Sequence, residues 1–126
     1  MLNSTLPEIY LITPPITDSE KFLHKLQKVI EKNKISCVRL RLSSTKDTEI
    51  INTTLLVKKL LDRWNIPLLI ENHYKIVTQL GLHGVHLTNG GQSISKVRQD
   101  LGANYIIGAF CGNSKHKALI AAENGA

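Results

Sequence analysis

Gly81-Leu-His-Gly-Val-His-Leu-Thr-Asn-Gly-Gly91 packs a helix stop, a short apolar strand and a glycine-rich exit into eleven residues. Gly81 suits the left-handed position that closes a helix, because it has no Cβ to clash there. Val85 and Leu87 alternate with His86, as the two faces of a strand require. A strand that runs into such a loop is the place where α/β folds hold their ligands.

The same strand, loop and helix unit recurs on both sides of this stretch. Residues 8–13, Glu-Ile-Tyr-Leu-Ile-Thr, read as a strand stopped by Pro14-Pro15, which offer no ladder donors. Thr17 and Glu20 have capping-box spacing, and Phe22, Leu23, Leu26, Val29 and Ile30 make one helical stripe that Asn33 ends. Residues 35–42 form a second strand. Ser44 and Asp47 cap a second helix with a stripe from Ile50 through Thr54, Val57 and Leu61 to Trp64, closed by Asn65 and Pro67. Leu68-Leu-Ile70 is an unbroken apolar strand of the kind covered on both faces. A short helix over 74–80 leads to Gly81. After the strand at 84–87, Ser93 opens a helix that buries Ile94, Val97 and Leu101 and stops at Gly102. A fifth strand covers 104–109, and Asn113 or Ser114 caps a last helix with an Ala/Leu face ending near Asn124-Gly125.

Five alternating units mean a parallel sheet with right-handed crossovers. Two architectures fit the pattern. One is a five-stranded doubly wound parallel sheet, which the length of 126 residues favours. The other is the opening five units of a (β/α)8 barrel, which takes about 250 residues when whole.

Composition narrows the function classes. The hydrophobic and charged fractions, 42% and 21%, are those of an ordinary globular domain. No apolar run is long enough to span a bilayer, and residues 1–7 lack a secretory pattern. Cys37 and Cys111 read as separate free thiols in a reduced, cytoplasmic setting. The net charge of +6 is spread along the chain with only six aromatic residues, which speaks against nucleic acid and for a solvated basic surface or a small anionic ligand.

Motif order then separates the architectures. Tyr10-Leu-Ile-Thr-Pro-Pro15 resembles the opening strand of thiamine-phosphate synthases and their relatives, the TenI-like thiazole tautomerases. Val38-Arg-Leu-Arg41 stands where that family has Gln-Leu-Arg-x-Lys, and Leu69-Ile-Glu-Asn-His73 where it has Ile-Asn-Asp-Arg. Gly84-Val-His-Leu87 is the family's own tetrapeptide, followed there by Gly-Gln-x-Asp. Tyr105-Ile-Ile-Gly-Ala109 resembles its Ile-Ile-Gly-Val-Ser strand, and Ala122-Glu-Asn-Gly-Ala126 the helix end before its sixth strand. The resemblance implies a TIM (β/α)8-barrel fold of which residues 1–126 form one C-terminally incomplete domain of about five units. A barrel lacking three strands has open edges, so the expectation is a partial chain, a decayed gene product, or a fragment completed by a partner or an oligomer.

The family's synthases join hydroxymethylpyrimidine diphosphate to thiazole phosphate and release pyrophosphate. Cations must meet the charge that develops on the leaving diphosphate, and carboxylates must hold Mg2+. By resemblance the substrate-binding positions are Arg39, Arg41, Ser43, Glu71 and Asn72. Arg41 keeps the diphosphate arginine. Arg39 replaces a glutamine, and the alternation of a strand sets both arginines on one face, inward in the family's barrel. Ser43 replaces a lysine, Asn72 an aspartate that binds magnesium, Gly91 a second such aspartate, and Phe110 a serine. Gly112 stands where the tautomerases have a histidine. His86 reads as a packed strand residue, and His73, His83 and His116 as surface residues.

No catalytic residue and no metal ligand is assigned on this basis, so Mg2+ is the family's cofactor without clear ligands here. The expected function is that of a thiamine-phosphate synthase-like protein of thiamine biosynthesis, acting on a small phosphate or diphosphate, with weak or absent activity. Neither nucleic acid nor a membrane is expected as a partner. The alternative is a non-catalytic phosphate-ligand binder or regulatory protein.

Overall fold

The structure is a computed structural model, and it describes residues 8–89 and 94–126. The chain divides into two compact units, Met1–Leu68 and Leu69–Ala126. Five strands and five helices alternate along the described residues.

In the first unit β1 (Ile9–Ile12), α1 (Ser19–Lys32), β2 (Ile35–Leu40) and α2 (Asp47–Asp62) follow one another. β1 and β2 are parallel, with Leu11 opposite Val38 and Ile12 opposite Arg39. Val38 and Leu40 are fully buried, as are Val57 and Leu61 of α2, and Leu26 and Ile30 of α1 are nearly so. Burying each such side chain contributes about 1.5–3 kcal/mol, which makes this sheet–helix layer the core of the unit. The other face of β2 carries Cys37 and Arg39. Its neighbours across the ladder, Tyr10 and Ile12, remain 44% and 43% exposed.

Local chemistry moves several boundaries. The cap of α1 is Asp18, whose carboxylate accepts from the Lys21 N–H at 3.2 Å, and not Thr17. A carboxylate also complements the positive end of the helix, which a threonine does not. Asn33 closes α1 by donating from its backbone N–H to the Val29 carbonyl. Ser44 does not cap α2. Its hydroxyl accepts from the Lys46 N–H and pairs with Glu49, which tightens the turn ahead of the helix. Trp64 lies beyond the end of α2 and is exposed, because the chain has already turned toward Asn65 in the left-handed region (φ 55°).

The second unit holds β3 (Leu68–Glu71) from its second residue onward, α3 (Lys75–Leu80), β4 (Gly84–Leu87), α4 (Ile94–Leu101), β5 (Ile106–Ala109) and α5 (Lys115–Glu123). β4 pairs in parallel with β3 on one side and β5 on the other. Gly81 closes α3 with φ 72°, as its place in the sequence predicts. Gly84 has a packing reason as well, since a Cβ there would lie 2.1 Å from the Ile106 carbonyl oxygen. β5 begins at Ile106, two residues later than expected, because Ala103 and Asn104 lie in the turn after Gly102. Ser114 caps α5 by accepting from the Lys117 N–H at 3.1 Å. The expected Ala/Leu face of α5 buries only Ala121, and Leu119 and Ile120 are exposed.

Within each unit neighbouring strands follow chain order. The repeats are of the (β/α)8-barrel type, five units in all.

Candidate functional site

The two arginines are held from below by the end of β1. Thr13 is 2% exposed, and its Oγ1 accepts the backbone N–H of Arg41 at 2.9 Å. Its own N–H donates to the Arg39 carbonyl at 3.0 Å. Pro14-Pro15 then carry the chain without donors of their own. Beyond them, Ile16 N–H donates to the Arg41 carbonyl at 3.1 Å and Ser43 N–H to the Ile16 carbonyl at 3.3 Å. The ladder therefore extends past both strands and fixes the backbone from Arg39 to Ser43.

Alternation places Arg39 and Arg41 on the face opposite Val38 and Leu40, away from the sheet–helix core. Both arginines are half-buried, and Ser43 is exposed at the end of the run. Two guanidinium groups on one strand face, on a rigid backbone, suit the bidentate recognition of phosphate oxygens. Cys37 shares that face. Burial pushes its thiol above the ordinary range, outweighing a hydrogen bond from Val38 that acts the other way, and it is a free thiol.

In the second unit Glu71 ends β3 half-buried, and Asn72 follows with φ 65°. The Asn72 N–H donates to the His86 carbonyl at 2.9 Å. Its side chain is turned to Thr88: Nδ2 donates to Thr88 Oγ1 at 2.7 Å, and Oδ1 accepts the Thr88 N–H at 2.9 Å. His86 is half-buried beside Gly108, where a Cβ would come within 2.7 Å of the imidazole Nδ1. His73, His83 and His116 are exposed, Phe110 is 58% exposed, and Gly112 carries φ 58°. Gly91 lies outside the described residues.

Of the residues singled out from sequence, Arg39, Arg41 and Ser43 share one strand end of the first unit. Glu71 and Asn72 share one strand end of the second. Sequence reasoning missed Thr13 and Thr88 as partners in this architecture. Their signal is slight: each is a single threonine closing an apolar strand. Among the described residues no group of three or more His, Cys, Asp or Glu side chains could hold a metal ion, and no helix is long and apolar enough to cross a membrane.

A sequence model of the family described as thiamine monophosphate synthase matches residues 9–126. The thiamine-phosphate synthase of Rhodospirillum centenum is 29% identical over 118 residues, covering 94% of this chain and 57% of its own length. That of Hyphomonas neptunium is 32% identical over 123 residues, covering 94% of this chain and 56% of its own. Among solved structures, a thiamine phosphate pyrophosphorylase from Pyrococcus furiosus superimposes with a TM-score of 0.78 at 19% identity, over 94% of this chain and 56% of that one. At that identity the likeness is one of fold. This chain thus spans a little over half the length of the curated relatives it matches. With its strand-end motifs in order and the match running through all five units, the chain belongs to the thiamine monophosphate synthase family.

Proposed function

We propose that the chain serves thiamine biosynthesis as a thiamine-phosphate synthase-type protein that binds a phosphorylated precursor on the Arg39–Arg41 face and transfers slowly or not at all. The observation that carries the reading is the locked backbone beneath Arg41, with Thr13 and Ile16 bonding to both of its peptide groups. Arg39 and Arg41 supply the positive charge, and the exposed Ser43 hydroxyl supplies a neutral donor beside them.

In the full reaction a thiazole nitrogen forms the new carbon–nitrogen bond while the bond from the pyrimidine methylene to the diphosphate oxygen breaks. Pyrophosphate then leaves with the electron pair. Stabilising that departure is the costly part, and preorganised cations usually supply it. Here Arg39 stands in place of a glutamine and Ser43 in place of a lysine, so the cradle keeps two positive charges but has none at the lysine's position. Binding therefore survives better than turnover.

Incubating the purified protein with hydroxymethylpyrimidine diphosphate, thiazole phosphate and magnesium tests this. Little or no thiamine phosphate is expected, and turnover at an ordinary enzymatic rate of about 1 per second or faster would refute the reading.

A further inference from the structure

We propose that Asn72 and Thr88 form a metal-independent clamp that ties the backbone after β3 to the backbone after β4. This goes beyond the reading above and does not depend on the arginines. The clamp has two side-chain bonds that use both ends of one amide. Nδ2 reaches Thr88 Oγ1 at 2.7 Å, and Oδ1 takes the Thr88 N–H at 2.9 Å. A third bond, from the Asn72 N–H to the His86 carbonyl at 2.9 Å, anchors Asn72 itself on β4. Asparagine tolerates the left-handed backbone that this needs, φ 65°, better than most side chains do.

The amide uses both of its ends here, its NH2 as a donor to the Thr88 hydroxyl and its oxygen as an acceptor for the Thr88 N–H. An ionised aspartate offers acceptors alone. The donor set suits hydrogen bonding and not a divalent cation. Magnesium takes six oxygens in near-octahedral geometry and is usually held through one or two carboxylates. The chain from Thr88 to Gln99 contains no acidic residue, and Glu71 is the single carboxylate from Leu69 to Tyr74. An ion at Oδ1 would also compete with the Thr88 N–H for that oxygen. The hydrogen-bonded pair thus does the positioning that the family's carboxylates imply for a bound ion at these two strand ends.

Amide hydrogen exchange on the full chain, in millimolar magnesium chloride and again in EDTA, reads the clamp directly. The Thr88 N–H is expected to be protected equally in both. Asn72→Ala should speed its exchange about tenfold, the equivalent of one lost hydrogen bond. The Phe110 N–H, which donates to the Leu87 carbonyl at 2.9 Å, reports whether the sheet stays intact. A Thr88 amide that exchanges freely in the unaltered chain would overturn the proposal. So would protection that differs about tenfold, in either direction, between magnesium and EDTA. The magnesium comparison needs no variant and decides the matter even where Asn72→Ala fails to fold. Loss of phosphate binding at the arginines would leave these amide rates unchanged, so the two readings fail separately.

Discussion

Thr13 Oγ1 accepts the backbone N–H of Arg41 at 2.9 Å, so a buried hydroxyl on β1 holds the residue with the strongest claim to a phosphate. The bond spans 28 positions of sequence and lies in a part-buried setting. Thr13→Val keeps the shape but removes the acceptor and leaves the Arg41 N–H unpaired, at a cost of about 1–3 kcal/mol. Chemical unfolding should show that loss, whereas Thr13→Ser should recover most of it. Equal stability of the valine variant would mean that the hydroxyl is not needed there.

Arg98 is a stabilising knot of the second unit. Its Nε and Nη2 donate to the Gly125 carbonyl at 2.9 and 2.6 Å, and its Nη1 to the carbonyls of Gly102 and Tyr105 at 2.9 and 2.6 Å. Arg98→Met keeps the stem and loses every one of these bonds, at a cost of about 3 kcal/mol. Arg98→Lys should recover only a minor part, because an ammonium cannot reproduce the planar fork. Urea midpoints for the three proteins would check the order, and a lysine variant as stable as the parent would contradict it.

Gly84 and Gly108 differ in what stands against them. A Cβ at Gly84 meets the Ile106 backbone at 2.1 Å, whereas one at Gly108 meets the His86 side chain at 2.7 Å. A side chain can turn aside and a paired strand cannot. Gly84→Ala should therefore cost about 3 kcal/mol or prevent folding, and Gly108→Ala distinctly less. Thermal melts of the two variants should fall in that order.

Cys37 gives a pH signature. Burial raises its thiol, so the folded protein keeps the proton to higher pH than the unfolded chain does. Stability from this group is full below the ordinary thiol range. It declines as pH rises through that range toward the folded value, because the unfolded state ionises first. Alkylation of Cys37 in the folded protein should be slower than in the denatured chain at mildly alkaline pH, since the thiolate is the nucleophile. Equal rates would show that the thiol is not desolvated.

Local requirements were the readable part of this sequence. Gly81 ends α3 because the left-handed cap is written into one residue, and Gly84-Val-His-Leu87 is a strand because its alternation is. Thr17 and Asp18 can each cap a helix, and only the geometry of the first turn chooses Asp18. The roles of Thr13 and Thr88 depend on partners 28 and 16 positions away, which no periodicity reveals. Asn72 stands at a ligand position of the family pattern, and the bond of its amide to Thr88 shows only in the structure. Arg98 reads as an ordinary helix arginine until its carbonyl partners, up to 27 positions distant, are known. The Ala/Leu face of α5 identifies a helix but not what covers it, and Leu119 of that face is exposed.

The central claim is that the arginine face of β2 keeps its affinity for a phosphorylated ligand. Calorimetric titration of the full chain with inorganic pyrophosphate, alongside Arg41→Ala, tests it most directly. Saturable binding is expected in the parent. In the variant, loss of a charge-assisted contact of about 1.5–3 kcal/mol should weaken binding at least about tenfold. Absence of binding in the parent, or the same affinity in both proteins, would contradict the account.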